Sequence, residues 1–146
     1  MTCPNSDIKL FVRLEPDAPK LTHQNGIEPA VNPRTGKPLL HKTSALLNLE
    51  AKYIALLKPH APPKPWNCPI HLTTVWHFRS ATQTGWKTTA PDTDNVVKTL
   101  KDCMTKAGFY KDDALVCLET IAKLWAAPDA KHGVEIRLHD LTNDEP

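Results

Sequence analysis

Ten of the fourteen prolines in this chain of 146 residues fall in two segments, five in residues 15–42 and five in residues 59–69. Proline lacks a backbone N–H and holds φ near −65°, so neither segment suits a helix interior. What remains is a set of short blocks, and each carries a clear hydrophobic period.

The blocks at 7–14, 70–79 and 133–141 alternate. Ile8, Leu10, Val12 and Leu14 oppose Lys9, Phe11 and Arg13. Ile70, Leu72, Trp76 and Phe78 oppose His71, Thr73, Val75, His77 and Arg79, and Val134, Ile136 and Leu138 oppose Glu135, Arg137 and His139. A period of two predicts half-buried strands. Residues 114–126 are mostly apolar and β-rich, which predicts a buried strand. Residues 43–58 place apolar side chains at 46, 49, 53 and 56, the stripe of an amphipathic helix capped by Thr43 or Ser44 and ended by Pro59. A second helix is expected over roughly 94–107, with Val96, Val97, Leu100, Cys103, Met104 and Ala107 on one side and Gly108 as its C-cap. The order β-α-β-α-β-β predicts an α+β fold: one mixed sheet with two helices packed on it. The length suits one domain spanning 1–146. Residues 15–42, with turn signals at Asn25-Gly26 and Thr35-Gly36, are expected to form a long irregular loop, and 59–69 a stiff connector.

A formal charge of +2 does not by itself argue for nucleic acid, so any phosphate-binding face must come from local clustering. Cys3, Cys68, Cys103 and Cys117 have no CxxC spacing and no secretory signal before them, and are read as reduced intracellular thiols. No Cys or His pair has the close spacing of a zinc site. No apolar run approaches membrane-spanning length, so a soluble, cytoplasmic protein is expected.

The densest chemistry lies in "PDTDNVVKTLKDCMTKAGFYKDD", residues 91–113. Asp92 and Asp94 stand at the mouth of the second helix, where one acidic residue would suffice as a cap. Asp112 and Asp113 follow its end. A helix of this length spans roughly 20 Å, and the extended chain from Gly108 to Asp113 covers roughly 17–20 Å, enough to bring Asp113 back toward Asp92 and Asp94. Three clustered carboxylates raise one another's pKa unless a cation neutralises them, and oxygen donors suit Mg²⁺ or Mn²⁺. Lys98 lies four residues after Asp94 on the same helix face as Asp94 and Asp102. It is either a surface ion-pair partner or a cation for a scissile phosphate.

The stretch "KTTAPDTDNVVKTLKDCMTKAGFYKDDALV" resembles the RusA family of crossover-junction endodeoxyribonucleases, the Holliday junction resolvases. The likeness runs through Pro91, Asp92, Asp94, Asn95, Lys98, Asp102, Gly108, Asp112 and Asp113. It implies a Mg²⁺-dependent nuclease, with Mn²⁺ able to substitute, acting as a homodimer on branched DNA and nicking two symmetric strands of a four-way junction in recombination and repair. By position, the resemblance makes Asp92, Asp94 and Asp113 the metal-binding carboxylates and Lys98 the catalytic lysine. Lys87, Lys98, Lys101 and Lys123 become the DNA-contacting cations, with a solvent-facing strand lysine as the plain alternative for Lys123. Pro91 departs from the family where some relatives carry a basic residue, and Lys87 with Thr88 and Thr89 stands in its place. "THQNG", residues 22–26, also looks like a stretch found in some relatives. Two rivals remain: a non-catalytic junction-binding protein, in which the acids only cap and pair, and a DxD-type nucleotide-sugar transferase, against which the short chain speaks.

Overall fold

The computed structural model describes Cys3, residues 6–14 and residues 27–146. Among these, the elements run β1 (Ile8–Arg13), β2 (Ile27–Val31), β3 (Pro38–Lys42), α1 (Ser44–Leu57), β4 (Ile70–Arg79), α2 (Thr93–Ala107), β5 (Val116–Ala126) and β6 (Gly133–Asp140). Short 3-10 turns occupy Lys58–His60 and Asp113–Leu115.

A four-stranded mixed sheet has the order β1-β6-β4-β5. β1 and β4 each run antiparallel to β6, and β5 runs parallel to β4. The alternation read in the sequence is the alternation of its faces. Ile70, Leu72, Thr74, Trp76 and Phe78 of β4 and Val134, Ile136 and Leu138 of β6 are buried on one side. Leu49, Tyr53 and Leu57 of α1 and Val96, Val97, Leu100, Cys103 and Met104 of α2 join the same core. Each large apolar side chain taken from water contributes roughly 1.5–3 kcal/mol, so this burial sets how α2 is rolled. Its other side, with Asp94 and Lys98, is left exposed. Thr74 is tolerated in the core because Trp76 Nε1 donates to its Oγ1 at 3.0 Å.

Three expectations are corrected. The irregular stretch contains a hairpin, β2 paired antiparallel with β3 from Ile27↔Lys42 to Val31↔Pro38. Its prolines hid it, yet a two-stranded ribbon consists of edges alone, where a missing N–H costs little. Gly36 supplies the positive φ of its turn, 66°. β5 is an edge strand rather than a buried one, with Leu118 exposed. Its apolar composition serves one packed flank only. Cys3 and Cys68 are joined as a disulfide rather than left as thiols, while Cys103 and Cys117 are free. The expected turn at Asn25-Gly26 and the "THQNG" stretch lie outside the described residues. No helix among the described residues is long and apolar enough to cross a membrane.

Candidate active site

The start of α2 is built by the segment before it. Residues 85–87 run alongside the free edge of β5: Trp125 N donates to Gly85 O at 2.8 Å and Lys87 N to Lys123 O at 2.9 Å, with Trp86 bridged to Leu124. The chain then passes Thr89, Ala90 and Pro91 and enters the helix. Asp92 is the N-cap residue, in extended geometry, and its carbonyl accepts the first helical bond from Val96 N at 3.0 Å.

Its carboxylate does not cap. No helix N–H donates to the Asp92 side chain. The contrast with α1 is direct, since there Thr43 Oγ1 accepts from Leu46 N at 3.2 Å. Asp94, in the first turn, and Lys98, one turn on, are also exposed. Among the described residues none of the three makes a side-chain hydrogen bond or ion pair, the Asp94–Lys98 pair included. Two carboxylates and an ammonium are thus held on one helix end without satisfying one another.

At the other end α2 stops at Gly108, whose φ of 93° places it in the left-handed region, and its N–H bonds back to Met104 O and Thr105 O. The following residues are pinned rather than loose. Trp66 N donates to Phe109 O at 2.9 Å, Lys111 N to Trp66 O at 3.0 Å, and the buried Tyr110 hydroxyl to Lys101 O at 2.9 Å. This lays Asp112 and Asp113 beside the second half of the helix. The two acids then part company. Asp112 Oδ1 accepts from Ala114 N at 2.8 Å and caps the 3-10 turn. Asp113 is half-buried, and desolvation, its hydrogen bond with Asp112 and the charges of Asp102 and Asp112 push its pKa up, against a smaller opposing pull from Lys101. A carboxyl strained in this way gains most from a nearby cation.

From Asp94 to Asp102 the helix rises about 12 Å. Asp113 feels the charges of Asp102 and Lys101, in the second half of α2, and the ligand atoms of Asp92, Asp94 and Asp113 do not all lie within 4.8 Å of one another. Among the described residues, the one group of three metal-capable side chains whose ligand atoms lie within 4.8 Å of one another is Cys3, Cys68 and Asp140. Even so, the oxygen donors of Asp92 and Asp94, exposed and uncommitted among the described residues, suit a hard divalent cation.

The lysines read as DNA contacts behave differently from one another. Lys98 is exposed and, among the described residues, unengaged. Lys101 Nζ lies 3.1 Å from Glu119 Oε2. Lys87 is only 6% exposed, its ammonium 4.3 Å from the centre of the Trp125 ring and 5.2 Å from that of Phe78, and it donates to Thr89 Oγ1 at 2.5 Å. Lys123 Nζ donates to Thr89 O at 2.8 Å and Pro91 O at 2.7 Å. Sequence reasoning missed Glu119. Its signal is the period of two along β5, which puts Glu119, Ile121, Lys123 and Trp125 on the side that faces α2.

The model of the family described as endodeoxyribonuclease RusA matches residues 16–139. A protein of Lactococcus phage r1t named crossover junction endodeoxyribonuclease rusA is 31% identical over 78 residues, 51% of this chain and 57% of that protein. The chain thus spans just over half the length of that curated relative.

Proposed function

The chain belongs to the RusA family of endodeoxyribonucleases, and from this premise we propose that it resolves four-way DNA junctions by paired, symmetric nicks. The observation that carries the reading is the trio of Asp92, Asp94 and Lys98 at the start of α2, exposed and unengaged among the described residues. A surface role as cap or ion pair would have used them.

In this reading Asp92, Asp94 and Asp113 hold Mg²⁺, for which Mn²⁺ can substitute. The bound metal would supply an activated water and neutralise charge at the phosphate. Lys98, with no carboxylate partner among the described residues, sets its ammonium against the charge that grows on the phosphate or the departing oxygen. Burial, and then the carboxyls of Asp112 and Asp102, raise the Asp113 pKa, so its charged form gains from a nearby cation. Because a junction has approximate two-fold symmetry and needs paired cuts, two copies of the chain would act as a two-fold homodimer, in DNA recombination and repair.

The test is nicking of a labelled synthetic four-way junction beside a linear duplex of the same sequence, with Mg²⁺ and with EDTA. Paired nicks are expected in the junction alone, lost with EDTA and in Asp92→Asn or Asp94→Asn while junction binding persists. Tight binding with no nicking under Mg²⁺ or Mn²⁺ would instead identify a junction-binding protein, and undiminished cleavage by either variant would remove the aspartates from the chemistry.

A further inference from the structure

Lys123 sits where a phosphate contact would be expected on an edge strand beside an acidic site, yet its ammonium is already occupied. In register it stands beside Trp76 of β4, whose side chain is buried under the helices, so its stem rises on the helix-covered side next to the start of α2. Two of its three N–H bonds go to backbone carbonyls, Thr89 O at 2.8 Å and Pro91 O at 2.7 Å. The second bond matters most. A peptide unit is planar, so fixing the Pro91 carbonyl fixes the plane that also contains the nitrogen and Cα of Asp92. The first bond fixes the neighbouring Thr89–Ala90 unit in the same manner. Lys87 adds a third hold on this segment, from its Nζ to Thr89 Oγ1 at 2.5 Å, and its N–H secures the base of the segment to Lys123 O at 2.9 Å.

Asp92 needs such support. Its own carboxylate makes no bond to the helix, so nothing in its side chain sets the entry angle of the chain into α2. The entry is set from outside, by a cation on β5.

We propose that Lys123 is a positioning residue: it clamps the Thr89–Pro91 carbonyls and so places the Asp92 carboxylate for metal, and it is not a DNA phosphate contact. This deepens the nuclease reading above and rests on it. A phosphate contact would require the ammonium to leave two backbone acceptors. A clamp requires only that it stay where it is.

The two roles separate by measurement. A lysine on phosphate contributes to the salt dependence of binding, and losing it weakens binding on all sequences and lowers the slope of log affinity against log salt by about 1. A clamp contributes to metal affinity and rate, where loss of an outer supporting residue typically costs about 10–100-fold. The experiment compares wild type, Lys123→Met and Lys123→Arg in three readouts: Mn²⁺ binding by electron paramagnetic resonance without DNA, the salt slope of junction binding in EDTA, and amide exchange over residues 85–92. For Lys123→Met the expectation is Mn²⁺ affinity about 10–100-fold weaker, faster exchange in 85–92 and a salt slope equal to wild type. Lys123→Arg, whose guanidinium can reach both carbonyls, should recover most of the Mn²⁺ affinity. It also serves as the deciding variant should Lys123→Met not fold, since for a clamp it keeps the wild-type exchange pattern. A slope lowered by about 1, with Mn²⁺ binding and exchange unchanged, overturns the proposal. Wild-type protein that never nicks a junction would sink the nuclease reading instead, while the exchange comparison would still decide whether Lys123 holds the segment.

Discussion

An acidic N-cap ordinarily contributes to helix stability, so replacing Asp92 by alanine would ordinarily cost about 1 kcal/mol, within a range of 0.5–2. The structure predicts a different outcome. The Asp92 carboxylate accepts no helix N–H, so the hydrogen-bond part of that loss is absent. What remains is attraction to the helix dipole, about 0.3–1 kcal/mol, opposed by repulsion from Asp94 in the same turn. The two are similar in size, and the net change should stay within about 0.5 kcal/mol, the range of an ordinary surface substitution.

Thr43→Ala provides the internal comparison. There Oγ1 does accept from Leu46 N at 3.2 Å, and its removal should cost about 1 kcal/mol, or a fall of roughly 3 °C in Tm for a domain of this size. Urea unfolding followed by far-UV circular dichroism, in EDTA to exclude metal stabilisation, measures both. Asp92→Ala should unfold with the wild type while its junction nicking is lost, and Thr43→Ala should unfold early while nicking at wild-type rates below its transition. If Asp92→Ala costs as much as Thr43→Ala, Asp92 is a working cap and the case for a carboxylate reserved for chemistry fails.

Gly133→Ala should be the most damaging single-methyl change. Gly133 has φ 145°, and a Cβ there would lie 2.1 Å from Val12 O and 3.0 Å from Arg13 Cα, so β1 and β6 must separate; a loss of about 3–5 kcal/mol is expected from combined strain and overpacking, and a variant within 1 kcal/mol of wild type would refute it by the same urea assay. Tyr110→Phe removes the hydroxyl bond to Lys101 O at 2.9 Å and should cost about 0.5–1.5 kcal/mol, read as an earlier urea midpoint. The Asp7–His139–Asp144 cluster, with Arg137 at 2.6 Å from Asp7, makes stability pH-dependent in two directions. Hydrogen bonding to His139 and then Arg137 lowers the Asp7 pKa against some desolvation, so that contribution is present above the ordinary carboxylate value of 3.8 and fades as pH falls below it. Bonds to Asp7 and Asp144 raise the His139 pKa above 6.5, so its contribution is complete below 6.5 and is lost as pH rises through the raised value. His139→Gln should therefore flatten the neutral limb of a Tm-against-pH curve and leave the alkaline end unchanged.

Much of the fold was legible in the chain because its signals are local. Alternation in 70–79 and 133–141 needs only neighbours along a strand to mark a buried face, and the stripe from Val96 to Ala107 needs only a turn of helix. Gly108 declared itself as a C-cap because the left-handed conformation there excludes most other residues. The acidic motif was equally plain, since its residue types and intervals are written in order.

Other features depended on partners distant in sequence. That β5 lies at the edge follows from pairing with β4, across a crossover that includes α2. That Asp112 caps a turn while Asp113 is left strained follows from Trp66 pinning the chain at Phe109 and Lys111. The union of Cys3 with Cys68 spans 65 residues of sequence. Charge alone made Lys87, Lys98, Lys101 and Lys123 look alike; their neighbours separate them into a ring-bound lysine, one unengaged among the described residues, an ion-paired one and one bonded to backbone carbonyls. Periodicity settles which side of an element is buried, because that is a property of consecutive residues. Whether an exposed-looking charge is committed or available is decided by what the fold brings within about 3 Å of it, and only packing determines that.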